Sequence, residues 1–289
     1  DTRFNIKQAY FTLLENARLA DVNAQTVAAQ RVHLQEARAF WSAGRSPESD
    51  VVKAQTNVAQ ALLTLSNAQN AISTARVNLN IAMGIDPRTP LRIMDVNLPP
   101  PGLPDLNALV STAQANRPEI VQAQRVIAAN QADLRSSQTN MLPAVVAAGS
   151  LGLRGNSFPG GSRNRTLGLT LQWDIFDSGL TSGLVRESRA NLESTRLQLY
   201  QQQQAVTQDV TQGYLNFSNA QQQLITTDAE VANALESLRL AEGRYRAGVG
   251  IFLEVTDAQA TLATAQGNRV NAAYALDIAL AQLDRAVGR

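Results

Sequence analysis

The sequence predicts a mainly α-helical chain interrupted once by a β-hairpin, on three observations. Ala occurs 44 times and Gln 26 times in 289 residues, almost a quarter of the chain, and both are good helix formers. Two long stretches carry apolar residues in alternating steps of three and four, which is the seam of a coiled coil. Two shorter stretches near the middle switch to a period of two, the mark of strands.

Residues 4–42 read as the first helix, ended by Gly44. Ser46-Pro47 reads as the start of the second, with Ser as N-cap and Pro at the first helical position. That helix runs to about Met83, before Gly84. Its seam is Val51, Ala54, Val58, Ala61, Leu65, Ala68, Ile72, Ala75, Leu79 and Ala82. Ala at every second seam position lets a partner helix approach closely. Asp86-Pro87, Pro90, Pro99, Pro100, Pro101 and Pro104 then mark an extended connector over 85–104. A short helix follows over about 105–115. Arg117-Pro118-Glu119 opens another, which runs to about Met141 and stops at Leu142-Pro143.

There the period changes. Val145, Ala147, Gly149, Leu151 and Leu153 share one face of the first strand. After a loop at 156–165, Leu167, Leu169, Leu171, Trp173 and Ile175 share one face of the second. The opposite faces are small or polar. The pattern fits an amphipathic hairpin on a soluble core, and it fits two strands of a transmembrane barrel. From about Leu180 to Ala247 there is no proline, so a single helix of about 100 Å is allowed at 1.5 Å per residue. A last helix spans about 251–287, with the seam Val255, Ala258, Leu262, Ala265, Arg269, Ala272, Leu276, Ala279, Leu283 and Ala286.

The two seams belong to an internal repeat. Residues 8–84 align with 212–288 at a constant offset of 204, with 20 identities in 77 positions. Tyr10/Tyr214, Ala43-Gly44/Ala247-Gly248 and Ala54-Gln55/Ala258-Gln259 carry the match beyond shared alanine content. Residues 1–84 therefore read as the C-terminal part of a first repeat, a helical hairpin. Residues 85–104 are the connector and 105–289 the second repeat, with its hairpin at about 143–177. A counterpart of residues 85–211 is expected upstream, so the chain reads as the C-terminal part of a longer protein.

Composition excludes several functions. Cys is absent and His33 is the single histidine, so thiolate chemistry, disulfides and histidine-rich metal sites have no material. No glycine-rich phosphate loop follows a strand. No cofactor, metal or catalytic residue is expected, and the protein is not read as an enzyme. A net charge of +1 gives no reason to expect nucleic acid.

Several motifs, in this order, resemble the outer-membrane efflux protein family, the TolC-like channels. They are Arg117-Pro118-Glu119 with Leu142-Pro143, then Trp173-Asp174-Ile175-Phe176-Asp177-Ser178-Gly179, then Tyr245-x-x-Gly248 with Val255-x-x-Ala258-Gln259. Trp41-x-x-Gly44 with Ala54-Gln55 is the other copy of the last. The resemblance implies an α-barrel protomer made of the long helices plus strands of a transmembrane β-barrel. It implies a homotrimer in outer-membrane lipid with its helices in the periplasm, working with a periplasmic adaptor (a membrane fusion protein) and an inner-membrane transporter. The function implied is the passive exit duct of a tripartite efflux or type I secretion system. A soluble coiled-coil scaffold or adaptor with a β-hairpin insert is the alternative.

The resemblance also assigns sites. Glu254 and Asp257, three residues apart on one helix face, match the family's acidic pair at the periplasmic gate, where Asp50 and Tyr245 are also expected. Acids in a first helical turn equally favour the helix dipole, so both readings stand for Asp50 and Glu254, and Tyr245 reads equally as a packed aromatic at a turn or as an inter-helix hydrogen-bonding group. The adaptor-contact tips are Gly44, Arg45, Gly248, Val249 and Gly250. The three glycines are expected as helix ends with positive φ. Gly250 stands where some relatives carry a locking Arg. Leu151, Leu153, Leu167, Leu169, Leu171, Trp173 and Ile175 are the expected lipid-facing set. His33, among polar neighbours, is given no role.

Overall fold

The computed structural model describes residues 2–94, 102–154 and 162–288. The elements are α1 (Thr2–Ser42), α2 (Glu48–Ala82), α3 (Leu106–Asn116), α4 (Pro118–Thr139), β1 (Ala144–Arg154), β2 (Ser162–Gln172), α5 (Leu180–Arg246) and α6 (Phe252–Val287). The mainly helical class with one antiparallel hairpin is as the sequence predicts. Pro99, Pro100 and Pro101 fall outside the described residues, as does most of the loop between the strands. No described helix is long and apolar enough to cross a membrane.

The chain packs as two units: Asp1–Ala113 with Gln208–Arg289, and Gln114–Thr207. In the first, α1 packs against both α2 and α6. One apolar core gathers Ala37, Val51, Ala54, Ala234, Leu238, Tyr245, Phe252, Val255, Leu262 and neighbours. A second gathers Leu13, Ala75 and Leu79, with Tyr10, Ile72, Leu91 and Ile93 against them. Nine of the ten seam positions of α6 are buried, and Arg269, the exception, reaches out to pair with Asp228. Gly213 in α5 has a packing role: a Cβ there would lie 3.4 Å from Leu283 Cδ1 on α6. The start of the connector folds back on the helices. Fully buried Asn80 donates through Nδ2 to the carbonyls of Pro87 at 2.9 Å and Thr89 at 3.0 Å. The Tyr10 hydroxyl donates to the Met94 carbonyl.

The second unit pairs α4 with the first part of α5 through a ladder of small polar side chains. Asn130 Nδ2 donates to Thr195 Oγ1 at 2.6 Å, the Ser137 and Ser188 hydroxyls meet at 2.9 Å, and Gln114 Nε2 donates to Thr207 Oγ1 at 3.2 Å. These pairs run antiparallel. The strand register places Val145 opposite Leu171, Ala147 opposite Leu169 and Gly149 opposite Leu167. Residues directly opposite share a face, so the two apolar rows coincide. Val146/Thr170, Ala148/Gly168 and Ser150/Thr166 form the other face.

Three local expectations are corrected. The N-cap of α2 is Pro47 in extended backbone, with no side-chain cap bond, because the Ser46 hydroxyl is turned inward instead. Strand β2 begins at Ser162 and ends at Gln172. Trp173 and Ile175 therefore lie past its end, although their alternation continues. The reason is the partner: Ala144 pairs with Gln172, and Pro143 before it has no N–H with which to extend the ladder. Gly250 lacks positive φ, unlike Gly44 (φ 70°) and Gly248 (φ 75°). It is required by close approach, since a Cβ there would sit 2.9 Å from Arg244 Cβ.

Candidate functional site

The two turns of the first unit are built alike, as the repeat requires. At the first, the Gly44 N–H donates to the Trp41 carbonyl at 2.9 Å and the Arg45 N–H to the Phe40 carbonyl at 2.8 Å. At the second, Gly248 donates to Tyr245 at 3.0 Å and Val249 to Arg244 at 3.1 Å. Both are helix ends closed by a left-handed glycine, a conformation that costs a side-chain-bearing residue more. The turns lie side by side. The Arg45 guanidinium stacks on the Phe40 ring at 4.9 Å, and a Cβ on Gly248 would meet it at 3.8 Å. Gly44, Arg45, Gly248 and Val249 are exposed, and Gly250 is half-buried.

Tyr245 is buried beneath this surface. Its ring meets Phe40 edge-on at 5.1 Å and Phe252 at 5.5 Å. Its hydroxyl sits beside that of Ser46, and neither finds a well-formed hydrogen bond. Burial raises the Tyr245 phenol above its usual range, and the charges of Asp50 and Glu36 add to the rise. Asp50 is raised as well, by burial. The structure thus brings Tyr245 and Asp50 together across the two hairpins.

It treats Glu254 and Asp257 differently. Glu254 forms an ion pair with Arg244 at 3.3 Å across the second turn. Asp257 is exposed and lines a cavity of about 390 Å³ with Lys53, Asn57, Gln60, Thr26 and Gln30. Lys53 and Asp257 occupy the same position in the two repeats, so the cavity is bounded by one residue of each sign. Arg244 has no role in the sequence reading, Ser46 has only that of a helix cap, and His33, which is 3% exposed in this same region, has none. A signal existed for His33: Gln30, His33 and Ala37, all buried, continue a three-and-four spacing.

On the hairpin, Leu151, Leu167, Leu169 and Leu171 are between 68% and 87% exposed. Trp173 and Ile175 are exposed on the segment that follows, and the Trp173 indole donates to the Met141 carbonyl at 3.3 Å. The Leu153 side chain lies outside the described set. Arg165 stands opposite Leu151 and Arg163 opposite Leu153, so the loop end of the apolar face carries two cations. Beyond β2, Asp177 caps α5: its carboxylate accepts from the N–H groups of Gly179 at 3.0 Å and Thr181 at 2.6 Å. The bonding at Thr181 and Gly179 holds the Asp177 carboxyl below the usual range. No group of His, Asp and Glu able to hold a metal occurs among the described residues.

A profile of the family described as outer membrane efflux protein matches residues 109–289. Protein CyaE of Bordetella pertussis is 28% identical over 272 residues, covering 91% of this chain and 55% of that protein. Outer membrane efflux protein BepC of Brucella suis is 22% identical over 294 residues, covering all of this chain and 63% of its own length. The chain thus spans little more than half the length of these relatives. In fold it is similar to the solved structures of CusC (TM-score 0.85, 17% identity, 99% of this chain and 68% of that one) and of the outer membrane protein VceC from Vibrio cholerae (TM-score 0.83, 17% identity, 99% and 69%).

Proposed function

The chain belongs to the outer membrane efflux protein family, and on that premise we propose that it is part of a passive, trimeric exit duct of a tripartite efflux or type I secretion system. It resides in the outer membrane, with its helical part in the periplasm. The observation that carries the function is the hairpin, whose two apolar rows share one face and whose described large apolar side chains are largely exposed. Moving each large apolar side chain from water into hydrocarbon is worth roughly 1.5–3 kcal/mol. A face carrying four exposed leucines is therefore a strong reason for it to meet lipid. The scaffold alternative leaves the same face in water.

In this reading Leu151, Leu153, Leu167, Leu169, Leu171, Trp173 and Ile175 meet lipid, and Arg163 and Arg165 reach the headgroup level. Residues 1–84 and 105–289 serve as two copies of one repeat, joined by the connector at 85–104. Three copies of the chain assemble around the axis, and no cofactor or catalytic step is involved. The turns bearing Gly44, Arg45, Gly248, Val249 and Gly250 meet the adaptor, behind which stands the inner-membrane transporter. Glu254, Asp257 and Asp50 set the charge of the entrance, and Tyr245 packs the closed form.

The test is conductance of the full-length protein in a planar lipid bilayer, with and without Glu254→Gln and Asp257→Asn. The expected result is a cation-preferring pore whose preference weakens in the double variant. A protein that stays soluble without detergent and gives no conductance would overturn the reading.

A further inference from the structure

We propose that Arg163 and Arg165 bind the phosphate of a lipid in the outer leaflet of the membrane. The inference rests on the membrane reading above and names the lipid chemistry that the loop end of the hairpin recognises.

The strand register puts both arginines on the apolar face. Arg165 stands opposite Leu151 and Arg163 opposite Leu153, in line with Leu167, Leu169 and Leu171 of their own strand. Both side chains are exposed. A cation on the outward face of a barrel strand is costly at the middle of the bilayer and nearly free at its boundary. Two such residues in succession therefore place this end of the hairpin at a boundary.

The opposite end agrees. Trp173, a residue type that favours the membrane interface, lies eight residues after Arg165. That is about 27 Å of extended chain at 3.4 Å per residue, or about 20 Å along the normal of a barrel whose strands tilt by about 40°. The apolar band of such barrels is about 25 Å tall, and a long arginine side chain reaches across the remainder. Strand β1 follows α4 and β2 leads into α5, so the loop end points away from the helices. With the helical part in the periplasm, that end meets the outer leaflet.

Charge then selects the headgroup. Residues 134–173 contain no Asp or Glu, and the acids nearest the second strand, Asp174 and Asp177, follow its other end. The hairpin therefore has no carboxylate of its own to neutralise Arg163 and Arg165. Alternate residues of a strand stand about 7 Å apart, so the two guanidinium groups can reach one headgroup together. Each is a planar fork of donors matched to phosphate oxygens, and such charge-assisted bonds are strong ones. A zwitterionic headgroup brings its own ammonium and leaves the pair unbalanced. The partner that fits is a lipid whose phosphate carries no compensating cation, with its acyl chains along the leucines below.

The experiment titrates the full-length protein, in an uncharged detergent, with lipid A bearing its phosphates and with the same lipid stripped of them. Bound lipid is counted by native mass spectrometry. The phosphorylated form should bind about tenfold more tightly. Arg163→Gln with Arg165→Gln should bring the two lipids to parity, and Arg31→Gln, an exposed cation on α1, should leave the preference intact. Arg163→Lys with Arg165→Lys, which keeps the charge, should retain part of it. Equal binding of both lipids by the natural protein overturns the proposal, and so does a preference that survives in the glutamine variant. Loss in the lysine variant as complete as in the glutamine variant overturns the role given to charge. Displacement of the lipid by excess inorganic phosphate would mark a site for free anions and overturn the lipid assignment. Failure of the premise looks different: a protein that binds neither lipid and stays in solution without detergent would remove the membrane reading, and this proposal with it.

Discussion

The α1–α2 hairpin and the α5–α6 hairpin carry the same repeated sequence, yet their second helices are buried differently. Along α2 the buried residues follow one row: Val51, Ala54, Ala61, Ala75 and Leu79, with Asn80 at its end. Along α6 the matching row is joined by a second, with Thr256, Gln259, Tyr274, Ala281 and Val287. Meanwhile Val52, Leu62, Leu63, Val77 and Ile81 of α2 stay exposed. The repeat therefore sets the seam, whereas the number of neighbouring helices sets the rest. Positions 204 apart become matched pairs on which that difference can be tested.

The largest effect is expected in the seam itself. Leu276 is buried and its counterpart Ile72 only partly so. Leu276→Ala should lose about 2–5 kcal/mol, and Ile72→Ala roughly half as much, in urea unfolding followed by circular dichroism. Equal losses would break the comparison and mean that α2 finds a further packing surface in the assembled protein.

The turns come next. Gly250 matches Ser46 of the first turn, but a Cβ at 250 meets Arg244 Cβ at 2.9 Å and the Tyr245 backbone nitrogen at 3.1 Å. Gly250→Ser should cost about 1–3 kcal/mol by overpacking. The reverse exchange, Ser46→Gly, should cost under about 1 kcal/mol, so thermal melting should separate the two. At the far end Asn80 matches Asp284. Asn80 holds the connector from a fully buried position, while Asp284 meets Lys7 in a partly exposed pair at 3.2 Å. Asn80→Ala should cost about 1–3 kcal/mol and open residues 85–94 to protease. Asp284→Ala should cost about 1 kcal/mol or less, and a larger loss would mark the Lys7 pair as structural.

The smallest effect separates Asp50 from Glu254. Burial raises the Asp50 carboxyl, so the folded chain holds that proton more tightly than the unfolded chain does. Stability should therefore decline as pH rises from the ordinary carboxylate range through the raised value. Asp50→Asn should flatten this decline in urea midpoints taken across the acid range. Glu254→Gln, which only releases Arg244, should leave it in place.

The pattern of what could be read in advance follows from the range of each interaction. The seams of α2 and α6 were legible because coiled-coil contacts repeat with the sequence. The fold class and the family were legible because hairpin alternation and turn motifs are local. The second buried row of α6 was not, since its neighbours come from residues far away in the chain. The end of β2 was missed because alternation runs on to Ile175, while pairing depends on where its partner meets Pro143. In the candidate site, Tyr245 and Asp50 were grouped in advance only through the family resemblance, which assigns both to one end of the helices. The Arg244–Glu254 pair could not, because a surface cation at a turn has many partners within reach. His33 had the spacing of a buried position, but its side chain reads as polar.

One feature of the first unit bears on how the molecule reaches its native state. Each helical hairpin closes through a turn of a few residues, so it can zip outward from contacts near the turn that demand little loop-closure entropy. The contact of Lys7 with Asp284 joins residues 277 apart, and it forms only when the first and last helices find each other. Chains whose contacts are local fold quickly, and long-range pairings come late. Refolding should therefore show helical hairpins rising first and the meeting of α1 with α6 last. A truncation that removes α6 would leave the early phase intact and abolish the late one.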